Sequence, residues 1–134
     1  MTVLLSDQRT VQSAEDVVAI RQAVRQRAVE LGFNLVDQTK IVTAASELAR
    51  NTLQHGGGGH VTIEAVEDFG RRGIRLTFKD EGPGIPDVAL AMKDGFTTGG
   101  GLGLGLSGAR RLSNDFSIES APAKGTRVTI TRWR

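Results

Sequence analysis

Two short segments hold the residues with the most chemical content. The first, Asp80-Glu81-Gly82-Pro83-Gly84-Ile85-Pro86, is an acidic turn, and the second, Gly99-Gly100-Gly101-Leu102-Gly103-Leu104-Gly105-Leu106, is a glycine-rich run. Glycine at alternate positions frees backbone N–H groups to curl around an anion, and leucine between the glycines anchors such a loop to a core. The regular leucines argue against a plain flexible linker, which seldom uses them. Beyond the run, Ser107 to Leu112 reads as helix, whose N-terminus adds unpaired donors and a positive dipole end. The pairing of acidic turn and glycine run points to a nucleotide with its phosphates in the run. A Walker-type loop does not fit, because no Lys-Ser or Lys-Thr follows the glycines.

Strand periodicity makes a specific statement about Asp80. It shares phase with Ile74, Leu76 and Phe78, so its carboxylate points to the core face, where it needs a partner. Thr126 stands in the same relation to Val128 and Ile130, so both polar groups look into one apolar space that an adenine ring could fill. The exocyclic amine of adenine is a donor suited to Asp80, while Gly82 and Gly84 let the backbone pass close to the ring. Ordinary turn chemistry is the competing account, with Asp80 starting the turn and capping Gly82.

Glu47 and Asn51 lie four residues apart on a predicted helix, hence on one stripe that borders its apolar face. Carboxylate and amide oxygens there suit Mg²⁺, which favours oxygen ligands and completes its shell with waters and phosphates. A solvated Glu beside a helix-end Asn is the plainer alternative. His55 and His60 flank the glycines at 56–59, and neither has a second His or Cys at metal-ligand spacing, so zinc is not expected. No serine sits in a Gly-x-Ser-x-Gly elbow, which leaves covalent hydrolase chemistry without support.

The elements that must position these residues follow from hydrophobic period. Val3-Leu4-Leu5 predicts a short strand. Val17, Ile20, Val24, Ala28 and Leu31 follow the rhythm of an amphipathic helix from Ala14, with Ser13 and Asp16 resembling a capping box and Gly32 ending it. A second helix is predicted over 36–54, with Ile41, Ala45, Leu48 and Thr52 on its buried face. Alternation predicts strands at 60–67 and 73–80, joined as a hairpin around 68–72. A helix over 103–112, a strand over 116–120, a turn at 123–125 and a strand over 126–133 complete the chain. Helices first and hairpins later imply an α+β fold, a two-layer sandwich whose mixed, mainly antiparallel sheet is covered by helices on one face. The missing strand–helix–strand alternation argues against a Rossmann fold.

At 134 residues the chain is expected to form a single domain over 1–134. It has no cysteine, hence no disulfide framework, which suits a reducing cytoplasm. The formal charge is +2, the basic residues are scattered in pairs such as Arg71-Arg72 and Arg110-Arg111, and aromatics are 4% of residues, so no nucleic-acid partner is expected. No apolar run of spanning length and no basic leader are present, so membrane association is not expected and a cytoplasmic location is.

In order along the chain, Glu47-Leu48-Ala49-Arg50-Asn51, Asp80-Glu81-Gly82-Pro83-Gly84-Ile85, Gly101-Leu102-Gly103-Leu104-Gly105-Leu106 and Gly125-Thr126 resemble the N, G1, G2 and G3 boxes of the GHKL ATPase and kinase superfamily, whose fold is the Bergerat sandwich. Val36-Asp37-Gln38, Gly84-Ile85-Pro86-Asp87, Asp94-Gly95-Phe96 and the Trp133-Arg134 ending bring the likeness nearest to the RsbT-type serine/threonine kinases of anti-sigma pathways. The resemblance implies ATP and Mg²⁺ as cofactors. It implies Asn51 as Mg²⁺ ligand, Asp80 with Thr126 at adenine, Gly82, Gly84 and Ile85 in the acidic turn that forms the base pocket, and Gly99, Gly100, Gly101, Leu102, Gly103, Leu104 and Gly105 around the phosphates. Glu47 would be the general base that receives a substrate serine proton, and Arg50 an aid to phosphate binding. Leu102 departs from the pattern, standing where many members have Thr. Gly99 and Gly100 are extra glycines that suggest a mobile lid. The implied partners are a STAS-domain antagonist protein, both substrate and inhibitor, and a downstream phosphatase or sigma-pathway protein. The alternative function is a noncatalytic ATP-binding anti-sigma factor or phosphatase-activating module.

Overall fold

Ser13 and Asn34 start the two long helices as their spacing requires. In the computed structural model, which describes residues 1–93 and 105–134, the Ser13 side chain accepts from the Asp16 N–H at the head of α1 (Ala14–Glu30). The Asn34 side chain does the same for Asp37 at the head of α2 (Leu35–Gln54). Each cap satisfies a donor that the first turn leaves open. Gly32, at φ +83°, takes the left-handed position just past α1, as expected.

Five strands follow the order β1-β2-β3-β5-β4, namely β1 (Thr2–Val11), β2 (Gly59–Asp68), β3 (Arg71–Asp80), β4 (Asp115–Ser120) and β5 (Thr126–Trp133). Every neighbouring pair among them is antiparallel, so the sheet is wholly antiparallel where a mixed one was allowed for. The β2–β3 hairpin closes through Phe69 and Gly70, both at positive φ, the left-handed pair that matches strand twist in a two-residue loop. β1 is much longer than the three residues expected. It is an edge strand exposed along most of its length, so Ser6 to Thr10 carry no hydrophobic alternation to announce it. A short helix, α3 (Val88–Ala91), was also not anticipated; Asp87 caps it by accepting from the Leu90 N–H at 3.0 Å. The last helix, α4 (Gly105–Arg111), precedes β4 and buries Leu106 and Ala109 in the core.

One face of the sheet is buried under the helices. Ile20, Val24 and Ala28 of α1, Ile41, Ala45 and Leu48 of α2 and Ala109 of α4 meet Val61, Ile63, Ile74, Leu76, Phe78, Val128 and Ile130 of the sheet in one cluster. At about 1.5–3 kcal/mol for each large side chain buried, this cluster is the main force that holds the helices to the sheet. Among the described residues, no helix is long and apolar enough to cross a membrane.

Arg132 closes the end of the sandwich opposite Asp80. It occupies a core-phase position on β5, opposite Ile74, and its guanidinium donates to Asp37 Oδ1 at 2.7 Å and to the Leu112 carbonyl at 3.0 Å. One side chain thus ties β5 to the first turn of α2 and to the end of α4. Removing it leaves a half-buried carboxylate and a helix-end carbonyl without their donor. Arg132→Ala is expected to lose about 2 kcal/mol, a fall of roughly 6–10 °C in Tm, read by thermal unfolding. A change below about 1 °C would show that the tie contributes nothing.

Candidate functional site

Asp80 is the last residue of β3, paired with Gly59 of β2 on one side and Thr126 of β5 on the other. It is 8% exposed, the inward orientation its phase predicts. Its Oδ1 accepts from the Gly82 N–H at 2.9 Å, so the turn-capping account also holds, for one of the two oxygens. The other oxygen faces Gly56. A Cβ at Gly56 would lie 2.5 Å from Asp80 Oδ2, and one at Gly82 would lie 2.7 Å from the Gly56 Cα. A Cβ at Gly125, whose φ is +75°, would collide with the Asp80 carbonyl oxygen. Glycine at 56, 82 and 125 is therefore what lets three stretches of main chain close around this carboxylate.

The acidic turn then docks on the loop between β4 and β5. The Ala123 N–H donates to the Pro83 carbonyl at 2.7 Å and the Ile85 N–H to Ser120 Oγ at 2.8 Å. Gly84 sits at φ +78°, and a Cβ there would run into the Ala121 carbonyl oxygen. Ile85 is half-buried and packs against the main core. Ser120 Oγ also meets the Gly125 carbonyl at 3.0 Å and Thr126 Oγ1 at 2.8 Å. Thr126 thus lies beside Asp80 at the open end of the sheet, with its hydroxyl tied into the turn.

On α2, Glu47 and Asn51 fall on one stripe, both half-buried. Glu47 Oε1 takes a 3.0 Å hydrogen bond from Arg50 Nη1, with the Glu47 side chain 22% exposed and that of Arg50 45% exposed. An ion pair this open to water contributes about 1 kcal/mol at most, so Arg50 is held loosely. Asn51 faces the start of α4, where a Cβ on Gly105 would lie 3.4 Å from its Nδ2. Its carbonyl receives the N–H groups of His55 at 2.9 Å and Gly56 at 3.3 Å. Gly56 is accordingly the link between the two halves of the site, bonded to Asn51 on one side and pressed on Asp80 on the other.

The structure brings together Asp80, Gly82, Gly84, Ile85 and Thr126 at the sheet end, and Glu47, Arg50, Asn51 and Gly105 on the helix side. Gly99, Gly100, Gly101, Leu102, Gly103 and Leu104 lie outside the described residues. Two participants escaped the sequence reading. Gly56 stands in a four-glycine stretch that reads as a connector. Ser120 follows Phe116 and Ile118 in core phase on β4, the same signal that singled out Asp80 and Thr126.

Residues 36–133 match the family described as histidine kinase-, DNA gyrase B- and HSP90-like ATPases. The chain is 49% identical over 118 residues to the serine/threonine-protein kinase RsbT of Bacillus subtilis, covering 88% of this chain and 89% of that one. It is 35% identical to an anti-sigma F factor of Bacillus licheniformis over 77% of this chain and 74% of that one. In fold it is similar to a crystal structure of the RsbU and RsbW domains of a Mycobacterium tuberculosis protein, at a TM-score of 0.65 and 22% identity, over 97% of this chain and 33% of that one.

Proposed function

The chain belongs to the histidine kinase-, DNA gyrase B- and HSP90-like ATPase family, in its RsbT-type serine/threonine protein kinase branch, and we propose that it phosphorylates a STAS-domain antagonist protein and so controls a downstream phosphatase or sigma-factor pathway. The observation that carries this reading is the stripe on α2. Glu47 and Asn51 share it, and Asn51 abuts Gly105, the described end of the glycine run. A carboxylate therefore stands beside the region where phosphates would lie.

In this reading the adenine ring lies over the paired Asp80 and Thr126, against the main chain at Gly82, Gly84 and Ile85, and the phosphates run toward Asn51 and the glycine run. The oxygen of a substrate serine or threonine bonds to the γ-phosphorus as the bond to the β–γ bridging oxygen breaks and ADP leaves. Glu47 receives the hydroxyl proton. Arg50, loosely paired with Glu47 at 3.0 Å, would turn to the phosphates. For Mg²⁺ the donor set fits: the Asn51 amide oxygen is a hard ligand, and no group of three or more His, Cys, Asp or Glu among the described residues forms a protein-only cage. Magnesium held mainly by phosphates and water would match that set, and when bound it neutralises charge on the phosphates. We place the protein in the cytoplasm, as one ATP-binding domain over residues 1–134.

The test is transfer of labelled phosphate from ATP to serine or threonine of the cognate STAS protein in the presence of Mg²⁺. ATP binding without transfer to the true partner would overturn the kinase reading. The second reading is a noncatalytic anti-sigma or phosphatase-activating module that binds its partner and uses nucleotide only for shape. In that case Glu47→Ala leaves both partner binding and its biological output intact.

A further inference from the structure

Ser120 has one proton and three polar neighbours. The Ile85 N–H can only donate to it, at 2.8 Å, and the Gly125 carbonyl can only accept from it, at 3.0 Å. The arrangement that satisfies all three contacts puts the serine proton on the Gly125 carbonyl. The third neighbour, Thr126 Oγ1 at 2.8 Å, must then be the donor, because a hydroxyl oxygen with its proton spent can only accept. The hydroxyl of Thr126 is left with lone pairs alone to offer the pocket. Asp80 beside it is likewise acceptor-only when ionised, with Oδ1 taken up by the Gly82 N–H and Oδ2 packed toward Gly56 with no hydrogen bond from it.

We propose that Ser120 is a positioning residue that sets base specificity: by taking the Thr126 proton it makes the end of the sheet an all-acceptor edge, which selects a base presenting an amine donor over one presenting a carbonyl. This rests on the nucleotide reading given above and extends it from adenine fit to the rejection of guanine. Guanine would bring O6, an acceptor, against acceptors and leave buried lone pairs facing each other. Without Ser120, the Thr126 hydroxyl can rotate and donate, so the penalty on O6 falls. Ser120 acts here only through Thr126 and the turn it holds.

The test compares ADP and GDP affinities, by calorimetry, for the wild-type protein, Ser120→Ala and Ser120→Thr. The wild type should prefer ADP by about 100-fold or more, and Ser120→Ala should narrow that preference by about 10-fold, mostly through weaker ADP binding with GDP binding held or improved. Ser120→Thr, which keeps the hydroxyl, should retain most of the preference. A merely structural serine would weaken both nucleotides alike and leave the ratio unchanged, and that result overturns the proposal. Should Ser120→Ala fail to fold, Ser120→Cys, whose sulfur is a weak acceptor for the Thr126 hydroxyl, should narrow the ADP preference in the same direction as Ser120→Ala. A wild-type protein that binds neither nucleotide would instead remove the nucleotide reading itself, and this inference with it.

Discussion

Glu47→Gln is expected to lower phosphoryl transfer by about 10²- to 10⁴-fold while leaving ADP affinity within about twofold. The substitution keeps the shape of the side chain and an oxygen for the Arg50 guanidinium, which now donates to Glu47 Oε1 at 3.0 Å. What it removes is the ability to take a proton. Because the pair is solvent-facing, stability should change by less than about 1 kcal/mol, so a fall in rate cannot be assigned to unfolding. Single-turnover transfer to the proposed STAS-domain substrate, alongside calorimetry with ADP, separates the two effects. Transfer at the wild-type rate would mean that the substrate proton leaves by another route, and Glu47 would have no claim to be the base. Arg50→Ala is the informative companion. If Arg50 serves the phosphates, its loss weakens ATP more than it changes the rate at saturation; if it only restrains Glu47, the rate rises.

How far the sequence could be read depended on whether a residue's role lies along its own element or across to another. Asp80 and Thr126 were legible because one closes and the other opens a run of alternating apolar residues, and a polar residue in core phase is conspicuous whatever the partner. Glu47 and Asn51 were legible through helical spacing alone. That Asn51 meets Gly105 at the start of α4 is a tertiary fact that no period announces. β1 was seen only at Val3 to Leu5, since an exposed edge strand is free to be polar on both faces, as Ser6 to Thr10 are. α3 is one turn long, too short to display a period. Ser120 carried the same phase, after Phe116 and Ile118, but a neutral hydroxyl at a strand end before a turn is ordinary and does not stand out as an inward carboxylate does. Gly56 carried none, because what matters there is the absence of a side chain at a close approach.

That close approach makes Gly56→Ala the sharpest probe of the base pocket. Gly56 is not in the left-handed region, unlike Gly57 at φ +72° and Gly58 at φ +104°, so alanine at 56 meets no backbone penalty. The added methyl must instead push on the whole Asp80 side chain, with Cγ nearest and Cβ and Oδ2 each 2.5 Å away, so the carboxylate and the end of β3 both have to give. Gly57 is the control, since a Cβ there has nothing within 4 Å. Gly57→Ala should cost about 1 kcal/mol of stability through its positive φ and leave nucleotide affinity unchanged. Gly56→Ala should weaken ADP by about 100-fold, at least as much as the 10- to 100-fold expected for Asp80→Asn, because the methyl both moves the carboxylate and invades the space beside it. If both substitutions act through the Asp80 carboxylate, their effects cannot add. The double variant should then bind ADP about as weakly as the worse single one, a coupling read directly from a double-mutant cycle. Full additivity would separate Gly56 from Asp80, and a folded Gly56→Ala protein with wild-type ADP affinity would take the adenine pocket away from this end of the sheet.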